Sequence, residues 1–183
     1  MGRIGIDDLE DLRTLRLDAD DRAELLEVQG ECTFVFSQAG WASGVVMSYL
    51  YADDRFWLTA VTGRAHAEAI KADPRVTVVV SSKGTDLPGR RMLAVRGVAF
   101  VHADEEIKRW FLPRFAAKHA TSGSEAFARL LDSPKRVVLE VRPVAIAASH
   151  DSRKMPGDGR GGPAAPGATP HQTTSNAREG AHT

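Results

Sequence analysis

The chain has 183 residues, enough for one domain with a substantial core, and its 24 basic and 24 acidic residues cancel. That balance gives no overall field directed at nucleic acid or an anionic membrane surface. Cys32 is the only cysteine, which excludes an internal disulfide. No apolar run approaches membrane-spanning length and the acid-studded start lacks a leader's apolar stretch, so a soluble, cytoplasmic chain is expected.

Residues 1–17 are loosely patterned and are expected to be poorly ordered. Asp20 or Asp21 is placed to cap a helix carrying Ala23, Leu25, Leu26 and Val28, with Gly30 closing it. The β-branched and aromatic run ECTFVFSQ, from Glu31 to Gln38, predicts a strand that breaks at Ala39-Gly40-Trp41. From Ser43 to Ala60 two apolar runs flank Asp53-Asp54, a hairpin signal. A short helix is predicted from Arg64 to Lys71, stopped by Asp73-Pro74, and a strand from Arg75 to Ser82. After a polar loop, Arg91–Ala103 reads as one strand bent at Gly97. Acids in its first turn and apolar residues at Ile107, Trp110, Phe111 and Phe115 predict a helix over Asp104–His119, with Pro113 breaking or kinking it. A second short helix, Ser124–Ser133, precedes a final strand from Lys135 to Ala148.

Residues 151–183 are rich in Gly, Pro, Ala and Thr, with Met155 the one hydrophobic side chain larger than Ala, and are expected to be a disordered tail. The folded domain is therefore expected over residues 18–150. Six strands, several consecutive without an intervening helix, argue against a doubly wound parallel sheet. They predict a mainly β, α+β fold: an antiparallel barrel with short peripheral helices, closed so that its apolar strands have no bare edges.

The stretch Thr59–Ser81, TAVTGRAHAEAIKADPRVTVVVS, carries the chemical signal. A strand ends in Thr59 and Thr62, Gly63 permits a tight turn, and Arg64 opens a helix. The first amides of a helix lack internal partners and sit at the positive end of its dipole. Backbone donors, two hydroxyls and a planar cation at one helix mouth suit a phosphate. The plainer reading is that Thr62 caps the helix and Arg64 pairs with Glu68. Elsewhere the signals are weak. The histidines lack metal-ligand spacing, Cys32 lies in a core strand, and Trp41, Tyr49, Tyr51 and Trp57 read as core or interface aromatics, with stacking on a ring as the sharper alternative.

The order of helix, hairpin, strand, T-x-x-x-G-R turn, short helix, DPRV strand and bent RGVA strand resembles the pyridoxamine 5′-phosphate oxidase-like family over roughly Asp20–Val144. The resemblance implies a six-stranded split β-barrel and a homodimer with flavin at the subunit interface. It also implies an oxidoreductase acting on a small organic substrate by hydride transfer through FMN. Carried over by position, Thr59 and Arg64 match phosphate contacts, with Leu58, Ala60, Thr62 and Gly63 around them; His66 or Ala65 stands where the family has a lysine. Gly40-Trp41-Ala42 departs from the family's Gly-x-Pro. Arg91, or Met92, is expected to reach the flavin from a neighbouring strand. Deazaflavin coenzyme F-420 is the close variant. A non-catalytic flavin or haem carrier is the alternative, with His66, His102 and His119 as candidate haem ligands.

Overall fold

The structure is a computed structural model and describes residues 15–154. The expectations for residues 1–14 and 155–183 lie outside the described residues. A first helix, α1 (Ala19–Val28), leads into β1 (Glu31–Gln38), β2 (Trp41–Ser48), β3 (Leu50–Ala52) and β4 (Arg55–Val61). Next come α2 (Ala65–Ala72), β5 (Arg75–Ser81) and β6 (Arg91–His102). The chain continues through α3 (Glu105–His119), α4 (Ser124–Leu131), β7 (Arg136–Asp151) and a 3-10 turn, Ser152–Lys154. The seven strands form one antiparallel sheet in the order β2-β1-β5-β6-β7-β4-β3.

Six strands are expected, and the described residues form seven because the run Trp41–Ala52 changes partner at Tyr49. Before it, β2 pairs with β1; after it, β3 pairs with β4. One continuous stretch thus supplies both edges of the sheet and curls it into the split barrel. Tyr49 is fully buried at that corner. Its amide donates to Gly30 O, its hydroxyl donates to Leu26 O, and its carbonyl accepts from His119 Nε2 at 2.9 Å.

Alternation builds the interior. Cys32, Phe34 and Phe36 of β1 face inward with Val76, Val78 and Val80 of β5 and Leu58 of β4. Ala67 and Ile70 of α2 join this core. A second cluster forms outside the sheet, where Phe111, Leu112 and Phe115 of α3 cover Trp57 and Val138. Both hairpin turns have two residues at positive φ, Ala39-Gly40 (51° and 80°) and Asp53-Asp54 (52° and 57°), the geometry that matches strand twist.

Three local expectations are corrected. The cap of α1 is Asp18, whose carboxylate accepts from Asp21 N at 2.8 Å; neither Asp20 nor Asp21 caps it, and the helix closes at an extended Gln29 rather than at Gly30. Pro113 does not break α3, which runs through it. Buried Phe111 and Leu112 before the proline and Phe115 after it hold both halves against the sheet. Burial of such side chains, about 1.5–3 kcal/mol each, outweighs the roughly 3 kcal/mol cost of an interior proline. Packing also extends past the expected limits: Leu15 and Leu17 are buried, as are Asp151 and Ser152, and Asp151 N donates to Leu15 O at 2.7 Å. No helix among the described residues is long and apolar enough to cross a membrane.

Candidate functional site

The candidate phosphate site is built where β4 hands over to α2. The ladder dictates what β4 offers there. Thr62 N donates to Lys135 O at 2.9 Å, which makes Thr62, Ala60 and Leu58 the residues hydrogen-bonded to β7. By alternation, the main-chain groups of Thr59 and Val61 face the other way. On that side β3 pairs with β4 only as far as Trp57, so β4 has an open edge beyond it. Val61 O is taken by Arg64 N at 3.2 Å. The Thr59 amide and carbonyl are left facing the split between β2 and β4.

The helix mouth follows directly. Gly63 turns at φ 85°, a conformation that disfavours any side chain. Arg64 is the N-cap residue of α2, and no side chain caps the first amides of the helix. Thr62, Gly63, Arg64 and Ala65 are exposed, and the Arg64 guanidinium has no hydrogen bond or ion pair among the described residues. The plainer expectation therefore fails at both points. Thr62 does not cap the helix, and Glu68 pairs with Lys71 at 2.8 Å, accepting also from Gly63 N at 3.1 Å.

Other expected site residues separate from this mouth. The Thr59 hydroxyl does not converge on it; it donates to Val137 O at 3.2 Å across the strand pair. Leu58 and Ala60 are buried at 0% and 4% exposure, so their side chains belong to the core. His66 does not stand in for a lysine. Its ring lies 6.4 Å from Phe34 and 6.1 Å from Phe36, and burial, helped by the nearby Arg64 charge, lowers its pKa. A neutral, half-buried imidazole carries no charge to a phosphate. Ala65 occupies the exposed position instead.

Arg91 is corrected most strongly. It starts β6 opposite Asp151, whereas the end of β6 at His102 aligns through Val138 with Thr59. Within one chain Arg91 and Thr59 thus lie at opposite ends of the sheet. Its side chain is 1% exposed and bound to Glu24, with Asp21 at 3.5 Å. A guanidinium buried against carboxylates serves to fasten α1 to the sheet.

Two further histidines are also committed. His102 Nε2 lies 2.8 Å from Glu140 Oε2, within a cluster in which buried Glu140 also takes Arg55 and Arg142 at 2.7 Å each. His119 is held by Tyr49 O at 2.9 Å. Cys32 is 3% exposed and burial pushes its thiol up to about 12, so it is no nucleophile at neutral pH. Among the described residues no group of three His, Cys, Asp or Glu side chains is placed to hold a metal.

Against this geometry the comparisons are specific. The sequence profile of the pyridoxamine 5′-phosphate oxidase family matches residues 19–150. The chain belongs to that family. No curated protein sequence matches it significantly. Among solved structures, an FAD-binding protein from Mesorhizobium loti is similar at 19% identity and TM-score 0.55, covering 73% of this chain and 91% of that one. An F-420 reductase is similar at 22% identity and TM-score 0.53, with 68% and 94% covered. HutZ, the haem storage protein from Vibrio cholerae, is similar at 12% identity and TM-score 0.59, with 73% and 93% covered. At these identities the likeness is one of fold. The same split barrel serves three differently named cofactors, so the choice among them rests on side chains.

The family's flavin phosphate fits the mouth of α2 in kind: uncapped amides, a guanidinium without a partner among the described residues, and the open edge at Thr59. It fits with one cation fewer, because Ala65 supplies none, and with the Glu68 carboxylate at the rim. Two grooves lie elsewhere. One, of about 580 Å³, is on the outer face of β1, β5 and β6; the other, of about 450 Å³, is between α1 and the second half of β7.

Proposed function

We propose that this family member is an FMN-dependent oxidoreductase working as a homodimer on a small organic substrate. The observation that carries the reading is the mouth of α2, where Arg64 has no partner among the described residues, beside uncapped helix amides and next to the open edge of β4. Arg64 and the Ala65 and His66 amides would hold the phosphate, and the Thr59 main chain would meet the cofactor along the split. When bound, the flavin supplies the redox chemistry by hydride transfer. The chain's part is to bind, orient and exclude water, so no acid–base pair is needed from it.

The second copy is supported by a face that no described residue covers. The outer side of β2, β1, β5, β6 and the second half of β7 carries β-branched and small residues, among them Val46 (69% exposed) and Val144 (71%). Five strands span about 24 Å, room for a standard interface. The deazaflavin variant has support of its own, since Ala65 leaves the mouth with a single cation and an F-420 reductase shares the fold. A haem carrier has less, because His66, His102 and His119 are each engaged or packed away.

The absorption spectrum of the purified protein tests the reading. Flavin bands, and weakening of FMN binding by about 1.5–3 kcal/mol in Arg64→Ala, are expected for a charge-assisted phosphate contact. A haem band, uptake of deazaflavin but not FMN, or unchanged affinity in the variant would each reject it.

A further inference from the structure

The groove of about 450 Å³ opens where the barrel wall is incomplete. β4 pairs with β7 only as far as Phe56 and Val141, yet β7 continues to Asp151 with β6 on its other side. Beyond Val141 that edge of β7 has no strand partner among the described residues, and Pro143–Ile146 form a lip there. α1 borders the gap. Ala19, Ala23 and Leu26 share one face of the helix, and the two alanines leave room beneath it. The floor is Phe56, Leu93 and Val95, buried residues on the inner face of the sheet, the side opposite the one assigned above to the second copy. Ile146 pairs with Val95 and so shares that inner face, yet it is 49% exposed. The core thus leaves an apolar slot open at this point.

Two opposite charges stand at the rim. Arg22 projects from α1 and Asp54 from the β3–β4 turn, and both line the groove. Among the described residues neither forms an ion pair, with the other or with any third group. The Arg22 guanidinium donates to Leu17 O at 3.0 Å, which leaves most of its five donors unused. Tyr51, a further lining residue, feels both charges: burial and then Asp54 raise its pKa, and Arg22 opposes them. Its ring packs edge-on against Phe56, with centroids 4.9 Å apart. A cation, an anion and a phenol are therefore gathered at one end of an apolar slot. This end is remote from the mouth of α2, because Asp54 precedes β4 and the mouth follows it, roughly 20 Å along the strand.

We infer that this groove binds a free α-amino acid with an apolar side chain. The carboxylate takes the Arg22 fork, the ammonium takes Asp54, and the side chain enters the slot over Phe56, Leu93 and Val95. A zwitterion satisfies both rim groups, whereas a ligand of one charge would set a like charge against one of them. The Tyr51 hydroxyl both donates and accepts, so it suits either head group. The volume lies within the range of small-molecule pockets, which recur in the mouths of β-barrels. The site does not rest on the oxidoreductase reading.

Calorimetric titration of the full chain with three probes tests the inference: L-phenylalanine, hydrocinnamate, which lacks the ammonium, and phenethylamine, which lacks the carboxylate. The wild type should bind phenylalanine at least ~10-fold more tightly than either of the others. Arg22→Gln should erase the preference over phenethylamine, and Arg22→Lys should keep part of it. Asp54→Asn, which suits the left-handed backbone at φ 57°, should erase the preference over hydrocinnamate. Equal binding of the three probes, binding of none, or an unchanged preference in either Arg22→Gln or Asp54→Asn would overturn the inference. Light-scattering mass on the same samples places the site. Phenylalanine affinity should be the same whether the chain is a monomer or a dimer, and binding confined to the dimer would put the ligand between copies and also overturn it.

Discussion

Glu68 reaches back along α2 to accept the Gly63 amide at 3.1 Å, which puts a carboxylate at the rim of the helix mouth that Arg64 flanks. Hydrogen bonding to Lys71, and then to Gly63, lowers its pKa, so it is anionic at neutral pH. A phosphate bound there would compete with this carboxylate for one positive helix end.

Glu68→Gln should therefore tighten phosphate binding. A roughly threefold fall in the Kd for FMN is expected, the scale of a helix-end charge effect. Titration by flavin fluorescence quenching checks this, and weaker binding in the variant would mean that Glu68 orders the mouth rather than competes for it.

Acid should destabilise the protein well before the carboxylates titrate. Burial lowers the pKa of both His66 and His119 below the ordinary 6.5. As pH falls through 6.5 the unfolded chain takes up protons that the native state resists, so stability declines until the lowered native values are reached. Urea midpoints should fall between pH 7.5 and 5.5, and His66→Phe, which suits its aromatic neighbours, should flatten the decline.

Gly97→Ala tests the close approach of β6 and β7. The added Cβ would lie 2.6 Å from Val141 Cγ1 and 2.8 Å from Arg142 O. A backbone carbonyl cannot yield as a side-chain tip can, so a loss of about 2–3 kcal/mol in denaturant unfolding is expected. A neutral result would show that β6 and β7 separate freely.

Ala39→Asn should have the opposite sign. Ala39 sits at φ 51° in the β1–β2 turn, a left-handed conformation that costs alanine about 1 kcal/mol and asparagine less. A gain of about 0.5–1 kcal/mol is expected in thermal or urea unfolding, with cofactor binding unchanged.

Native Cys32 should resist a thiol reagent such as dithionitrobenzoate at pH 8. The thiol is buried and its pKa is raised to about 12. Labelling at the rate of a free thiol would place the residue at the surface.

Local pattern made much of the fold legible. Alternation in Glu31–Gln38 and Arg75–Ser81 marked the core strands, and Asp53-Asp54 marked a hairpin, because each signal depends on near neighbours in sequence. The mouth of α2 was readable for the same reason, from Thr62-Gly63-Arg64. Residues whose fate is set across the chain were not. Arg91 looked like a cofactor contact, yet its partner Glu24 lies 67 positions away. The Thr59 hydroxyl reads from sequence as a phosphate donor but is committed to Val137 O, while its main chain, beyond the end of β3 pairing, faces the split.

The stretch that turns at Tyr49 also bears on how the molecule comes into being. Both of its pairings are made with sequence neighbours through two-residue turns, so Glu31–Val61 can assemble early with little loop entropy to overcome. The strand that flanks β4 on its other side, β7, is synthesised last of the seven described. A nascent chain must then hold a half-made barrel with β4 unshielded until the C-terminal strand emerges. In that interval, more than in the finished fold, the protein is open to mispairing with its neighbours.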